Sequence, residues 1–133
     1  MTRINADIDP RTLKRLHLIA EYREIVMVPA SLMRSLRSRS KADILKGIPP
    51  KFTLNRGHVT FFYNKLGFLL QRFEKLVVEM ERRGYKADRD RRFMFDLLDE
   101  DWFGLWTATA EDNAIVQERI DYRISQKPHL YIN

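Results

Sequence analysis

Residues 57–84 read GHVTFFYNKLGFLLQRFEKLVVEMERRG. Val59, Phe62, Leu66, Leu69, Phe73, Leu76 and Met80 recur every three or four residues, the period of one helical face. Phe61, Phe68 and Leu70 add apolar bulk elsewhere, as in a helix buried on several sides. Gly57-His58 marks the expected start, and Gly84 suits the left-handed residue that closes a helix. The stretch predicts one long central helix from about Gly57 to Arg83, against which the remaining chain must pack.

Two flanking patterns supply that packing. Leu18, Tyr22, Ile25, Pro29, Leu32 and Leu36 form a second helical stripe between Asp9 and Ser38. Asp9-Pro10 offers a cap followed by proline in the first turn, and Pro29 is expected to kink or split the helix. Beyond it, Arg39 to Arg56 reads as polar and irregular, with Ile48-Pro49-Pro50 forcing extended backbone. Toward the C-terminus, Phe93 to Leu98 suggests a short helix, and Trp102 to Trp106 a packed loop. A third long helix is expected from Thr109 to Gln126, with Glu111 and Asp112 at its positive end and Pro128 just past its stop. No stretch reads as a strand. The expected fold is all-α: a compact single domain, residues 1–133, of three main helices with long irregular connections.

Composition narrows the functional classes. Hydrophobic residues make up 44% of the 133, enough for a core. With no cysteine, disulfides, thiolate metal sites and cysteine nucleophiles are excluded. No apolar run approaches the ~18 residues of a membrane span, and the polar stretch Met1–Asp9 lacks a signal peptide's apolar segment. A cytoplasmic protein that does not engage membranes is the expectation. The net charge of +6 points to a polyanionic partner, most often nucleic acid. Charge is also unevenly placed: residues 1–46 hold ten basic against five acidic residues, and residues 96–112 hold six acids and no base.

Three polar patterns remain to be assigned. His17, Glu21 and Glu24 share a helical face, with Tyr22 and Arg23 beside them. Two carboxylates and a histidine suit acid–base chemistry, although the same spacing describes a solvated surface stripe. One histidine with two glutamates is a thin metal-ligand set, so no metal or cofactor is expected. Arg119, Arg123 and Lys127 form a basic stripe that could track phosphates or simply face solvent. His58, at a helix start, fits either a phosphate site or a structural role.

Two blocks go further. Met1-Thr2-Arg3-Ile4-Asn5 with His17-Leu18-Ile19-Ala20-Glu21-Tyr22-Arg23-Glu24, and Gly57-His58-Val59-Thr60-Phe61-Phe62-Tyr63-Asn64-Lys65-Leu66, resemble the phage pyrimidine-dimer DNA glycosylase family, also called phage endonuclease V. Arg119, Arg123 and Gln126-Lys127-Pro128 add a weaker third match. The resemblance implies a three-helix fold that excises a damaged pyrimidine and then nicks the strand at the abasic sugar. It makes Thr2 the nucleophile, through the α-amine freed when Met1 is removed, and Glu24 the catalytic carboxylate. Arg3, His17, Arg23, Arg119 and Arg123 are its implied DNA-binding residues. The implied partner is damaged double-stranded DNA, bound by a monomer in the cytoplasm of a phage-infected or bacterial cell.

The implied chemistry is sound. An α-amine has an ordinary pKa of about 7.7–8.0 against about 10.4 for lysine, so roughly a tenth is free base at neutral pH. Cationic Arg3 and Arg23 nearby would lower that value further. Two departures stand out. Met27 occupies the position of a family arginine, and the tail Pro128-His129-Leu130-Tyr131-Ile132-Asn133 is short, with Tyr131 its one aromatic residue. They leave the lesion open and keep two alternatives in view: a DNA-binding or lyase-only protein on the same scaffold, and a protein-interaction module using the acidic 96–112 surface.

Overall fold

The computed structural model describes residues 3–132; Met1, Thr2 and Asn133 lie outside the described residues. The described residues are helical without strands, as the sequence predicts. The helices are α1 (Arg15–Glu24), α2 (Met27–Leu36), α3 (Lys41–Lys46), α4 (His58–Phe61), α5 (Leu66–Arg82), α6 (Phe93–Asp96) and α7 (Ala110–Gln126). Short 3-10 turns occupy Pro10–Thr12, Arg89–Arg92, Glu100–Trp102 and Pro128–Leu130.

Helix α5 is the centre. Leu66, Leu69, Phe73, Leu76 and Val77 are each wholly buried, so the stripe read from the sequence is the core face. At its end Gly84 takes φ +83°, and Tyr85 and Gly84 donate to the carbonyls of Met80 (2.9 Å) and Glu81 (3.0 Å). This pair of bonds satisfies the last carbonyls in the arrangement glycine permits. Helix α1 packs across α5, with Tyr22 and Phe73 stacked at 5.9 Å.

The expected single helix from Gly57 is instead two, α4 and α5, broken over residues 62–65. The cause is a crossing segment. Gly104 comes so close that a Cβ there would stand 2.4 Å from the Asn64 carbonyl oxygen, and one on Gly67 would stand 2.6 Å from that of Phe103. Phe68 N–H donates to Gly104 at 3.3 Å, replacing a helical bond. Backbone from a distant part of the chain interrupts the helix, which no local period reveals.

The first expected helix also divides, but not at Pro29. The break lies at Ile25-Val26, and Pro29 is the third residue of α2, where a missing N–H costs nothing. A proline ring clashes with the carbonyl four residues earlier, here Ile25, and the chain turns there. The expected start at Asp9-Pro10 yields only a 3-10 turn, capped by Asp9 accepting from Arg11 N–H at 3.0 Å. Buried Leu13 then runs extended, and α1 begins at Arg15. The stretch expected to be irregular contains α3, capped by Ser40 accepting from Asp43 N–H at 3.1 Å and anchored by buried Ile44.

Helix α7 follows expectation. Thr109 and Asp112 cap each other's backbone N–H groups at 3.0 Å, a reciprocal capping box, and the helix ends before Pro128. Trp102 is buried, and Trp106 sits among Phe52, Phe61, Phe62 and Phe68.

Candidate active site

The segment entering α1 is threaded through the protein. Ile4, Ala6 and Ile8 alternate into the core while Asp7 and Asp9 face out. Arg3 and Asn5 adopt left-handed backbone, φ 52° and 38°. That conformation costs a non-glycine residue roughly 1–2 kcal/mol and needs specific contacts to hold it. Those contacts are present. Arg3 Nη1 donates to the carbonyls of Leu54 (2.8 Å) and Asn55 (2.9 Å). Asp7 N–H donates to Asn113 Oδ1 of α7 at 2.9 Å.

His58 fixes the same segment from α4. Its ring is 1% exposed, with Nδ1 2.8 Å from the Thr53 carbonyl and Nε2 3.1 Å from Asn5 Nδ2. A carbonyl only accepts, so Nδ1 carries the proton and Nε2 accepts from the Asn5 amide. Burial pushes the imidazole down to about 4, with Arg3 and Arg119 opposing its charge. His58 is therefore a neutral fixture, which resolves the two readings its sequence position allowed.

Glu21 and Arg72 form the third anchor. Arg72 Nε and Nη2 donate to the two Glu21 carboxylate oxygens at 2.7 and 2.9 Å, and Nη1 donates to the Ile8 carbonyl. Burial works against the guanidinium, but the Glu21 carboxylate more than offsets it and Arg72 is raised. Both side chains are almost wholly buried. His17 is buried too, so a solvated stripe describes neither His17 nor Glu21. Nothing local in the sequence marks Arg72, because its partners lie 51 and 64 residues away.

These anchors leave a small cleft, about 10 Å³, lined by Arg3, Ile4, Asn5, Glu21, Glu24, Met27, Val28, His58 and Val59. Glu24, half-buried at the end of α1, and Arg3 thus share one cavity wall. Thr2, which precedes Arg3, lies outside the described residues. Arg23 is exposed on α1, and its carbonyl accepts from Arg91 at 3.2 Å.

Helix α7 brings the other cations alongside. Arg119 is held below the ordinary arginine value, first by partial burial, then by Arg123 and Arg3. Arg123 lies by His17, which is lowered by burial first and by that guanidinium second. The His17 ring stacks on Tyr131 at 4.6 Å, outside the cleft lining. Arg119, lowered by burial and in part by the neighbouring guanidiniums of Arg123 and Arg3, thus stands in a field of positive charge that favours an anion. Among the described residues no three carboxylate or imidazole groups gather as a metal site. A roomier groove, about 630 Å³, runs between residues 7–11 and α5, and neither Arg3 nor Glu24 lines it.

A carboxylate that shares a cleft with Arg3, with Arg119 close to that arginine, on an all-helical scaffold, is an arrangement suited to a protein that works on a polyanion. Residues 1–93 match the family model described as pyrimidine dimer DNA glycosylase, and the chain belongs to that family. It is a DNA repair glycosylase, with DNA as its substrate. The match spans every cleft-lining residue and Arg72, whereas Arg119 and Arg123 lie beyond it. No helix among the described residues is long and apolar enough to cross a membrane.

Proposed function

We propose that the protein excises a damaged pyrimidine, the cyclobutane dimer, and then nicks the strand, using the α-amine of Thr2 released by removal of Met1. The amine nitrogen bonds to C1′ of the sugar as the bond from C1′ to the base breaks, and the base leaves with a proton. Opening of the sugar ring gives an imine between protein and DNA. Loss of a proton from C2′ then expels the 3′ phosphate and breaks the strand. Glu24 stabilises the positive charge on the sugar and imine and moves the C2′ proton. Arg3, Arg23, Arg119 and Arg123 bind the flanking DNA, while buried His17 backs Arg123 rather than meeting DNA itself, and the protein acts as a single-domain monomer.

The observation that carries this reading is the shared cleft of Glu24 and Arg3, the covalent neighbour of Thr2, behind which the chain is pinned by Asn5, Ile8 and their partners. Borohydride reduction tests it. Processed protein should be trapped on abasic DNA, with the adduct mapped to Thr2 by mass spectrometry, and protein retaining Met1 should give none. An adduct on a lysine, or no adduct from processed protein, refutes it. A lyase-only protein on the same scaffold is the alternative, distinguished by trapping on abasic DNA without excision of an intact dimer.

A further inference from the structure

We infer that Met27 is an apolar wedge that meets base faces at the lesion and sets which damaged nucleotide is opened, an inference that rests on the glycosylase reading of the cleft. Among the residues lining the cleft with Glu24, its apolar neighbours Ile4 and Val28 are 1% and 2% exposed, whereas Met27 is 49% exposed. It is the first residue of α2, directly after the turn at Ile25-Val26, and Val26 and Val28 on either side are buried. Its backbone is thus fixed while its side chain stands free at the mouth.

The surroundings say what such a side chain can touch. Arg3, Arg119 and Arg123 supply the groups a phosphate requires, and a thioether offers a phosphate nothing. An unbranched, polarisable side chain suits the flat face of a base, and methionine is among the apolar residues that enter base steps and unstack them. Reaching a sugar inside a duplex demands unstacking, cheapest where damage has already weakened the step. An apolar wedge beside the carboxylate couples the opening of that step to the chemistry. Discrimination then comes from stacking: a damaged pyrimidine with a poorly stacked, apolar face is admitted, and an intact step resists.

The test uses duplexes with 2-aminopurine opposite the lesion position, whose fluorescence rises when it unstacks. One duplex carries a tetrahydrofuran abasic analogue, which cannot react and isolates opening from chemistry. Met27→Ala should lose most of the fluorescence rise that wild type produces, and Met27→Leu should keep it. In single-turnover assays, the loss on an intact dimer should exceed the loss in imine trapping at a preformed abasic site by about tenfold. A Met27→Ala protein with the wild-type rise, or with equal losses on the two substrates, overturns the wedge. So does a Met27→Arg protein that matches wild type on both readouts, since a phosphate contact would then suffice. Failure of wild type to form an adduct would refute the amine mechanism, yet the fluorescence arm would still decide the role of Met27.

Discussion

Lowering the pH should destabilise this protein through His58, and the structure sets both direction and size. In the unfolded chain the imidazole titrates near 6.5, and in the folded protein at about 4. Protonation in place would turn Nε2 into a second donor facing the Asn5 amide, beside Arg3 and Arg119 and away from water. Between pH 6.5 and 4 the unfolded state therefore binds more protons, and stability falls as pH falls. Its contribution is complete above 6.5 and exhausted below about 4. At ~1.36 kcal/mol per pH unit, this gap corresponds to about 3 kcal/mol. The assay is urea unfolding of wild type and His58→Gln in steps from pH 7.5 to 4. Every other titrating group is common to both proteins and drops out of the difference. The variant should be less stable at pH 7.5, and the gap should close by about 3 kcal/mol at pH 4. Parallel curves would show that His58 does not carry this pH dependence, and the assignment of a neutral, locked imidazole would fail.

Further outcomes follow from other contacts. Truncating one partner of the buried pair, as in Arg72→Met, should cost about 3–5 kcal/mol in urea unfolding, and the double variant with Glu21→Met should cost less than the two singles combined. Glu79, bonded to Arg82 first and then Arg83, is pushed down to about 2 from 4.5; its stabilisation holds above 4.5 and is lost as pH falls toward 2, and Glu79→Gln should flatten that acid limb. Gly104→Ala drives a methyl against the Asn64 carbonyl and should lower stability by about 1–3 kcal/mol by thermal unfolding. Arg119→Gln should weaken DNA binding across sequences and shallow the plot of log K against log salt by about one; an unchanged slope places Arg119 off the phosphates.

The apolar stripes were legible because burial imposes a period: Leu18, Tyr22, Leu69, Phe73 and Leu76 all face the core as their spacing requires. Caps written in adjacent residues were legible too, as at Thr109 and Gly84. What escaped was set by segments far apart in the chain. The break before α5 depends on Gly104, the fates of Glu21 and Arg72 on each other, and the tautomer of His58 on Asn5 and Thr53. Pro29 was correctly read as disruptive, but its effect falls at the carbonyl four residues upstream. For the site, Glu24 and Arg3 stood out through their surrounding blocks, whereas Arg72, which helps hold the cleft in shape, had no such mark.

The threaded segment behind Arg3 also carries a timetable. Its partners are made late: Leu54 and His58 lie 51 and 53 residues downstream of Arg3 and Asn5, Arg72 lies 64 after Ile8, and Asn113 lies 106 after Asp7. At synthesis rates of ~5–20 residues per second, His58 follows Asn5 by about 3–10 s and Asn113 follows Asp7 by about 5–20 s. Throughout that interval the segment is on the ribosome with nothing to dock against. An enzyme that removed Met1, as the proposed mechanism requires, would thus meet an undocked peptide, before the cleft closes around the chain that follows. Order of synthesis, as much as geometry, gives the proposed amine its chance to exist.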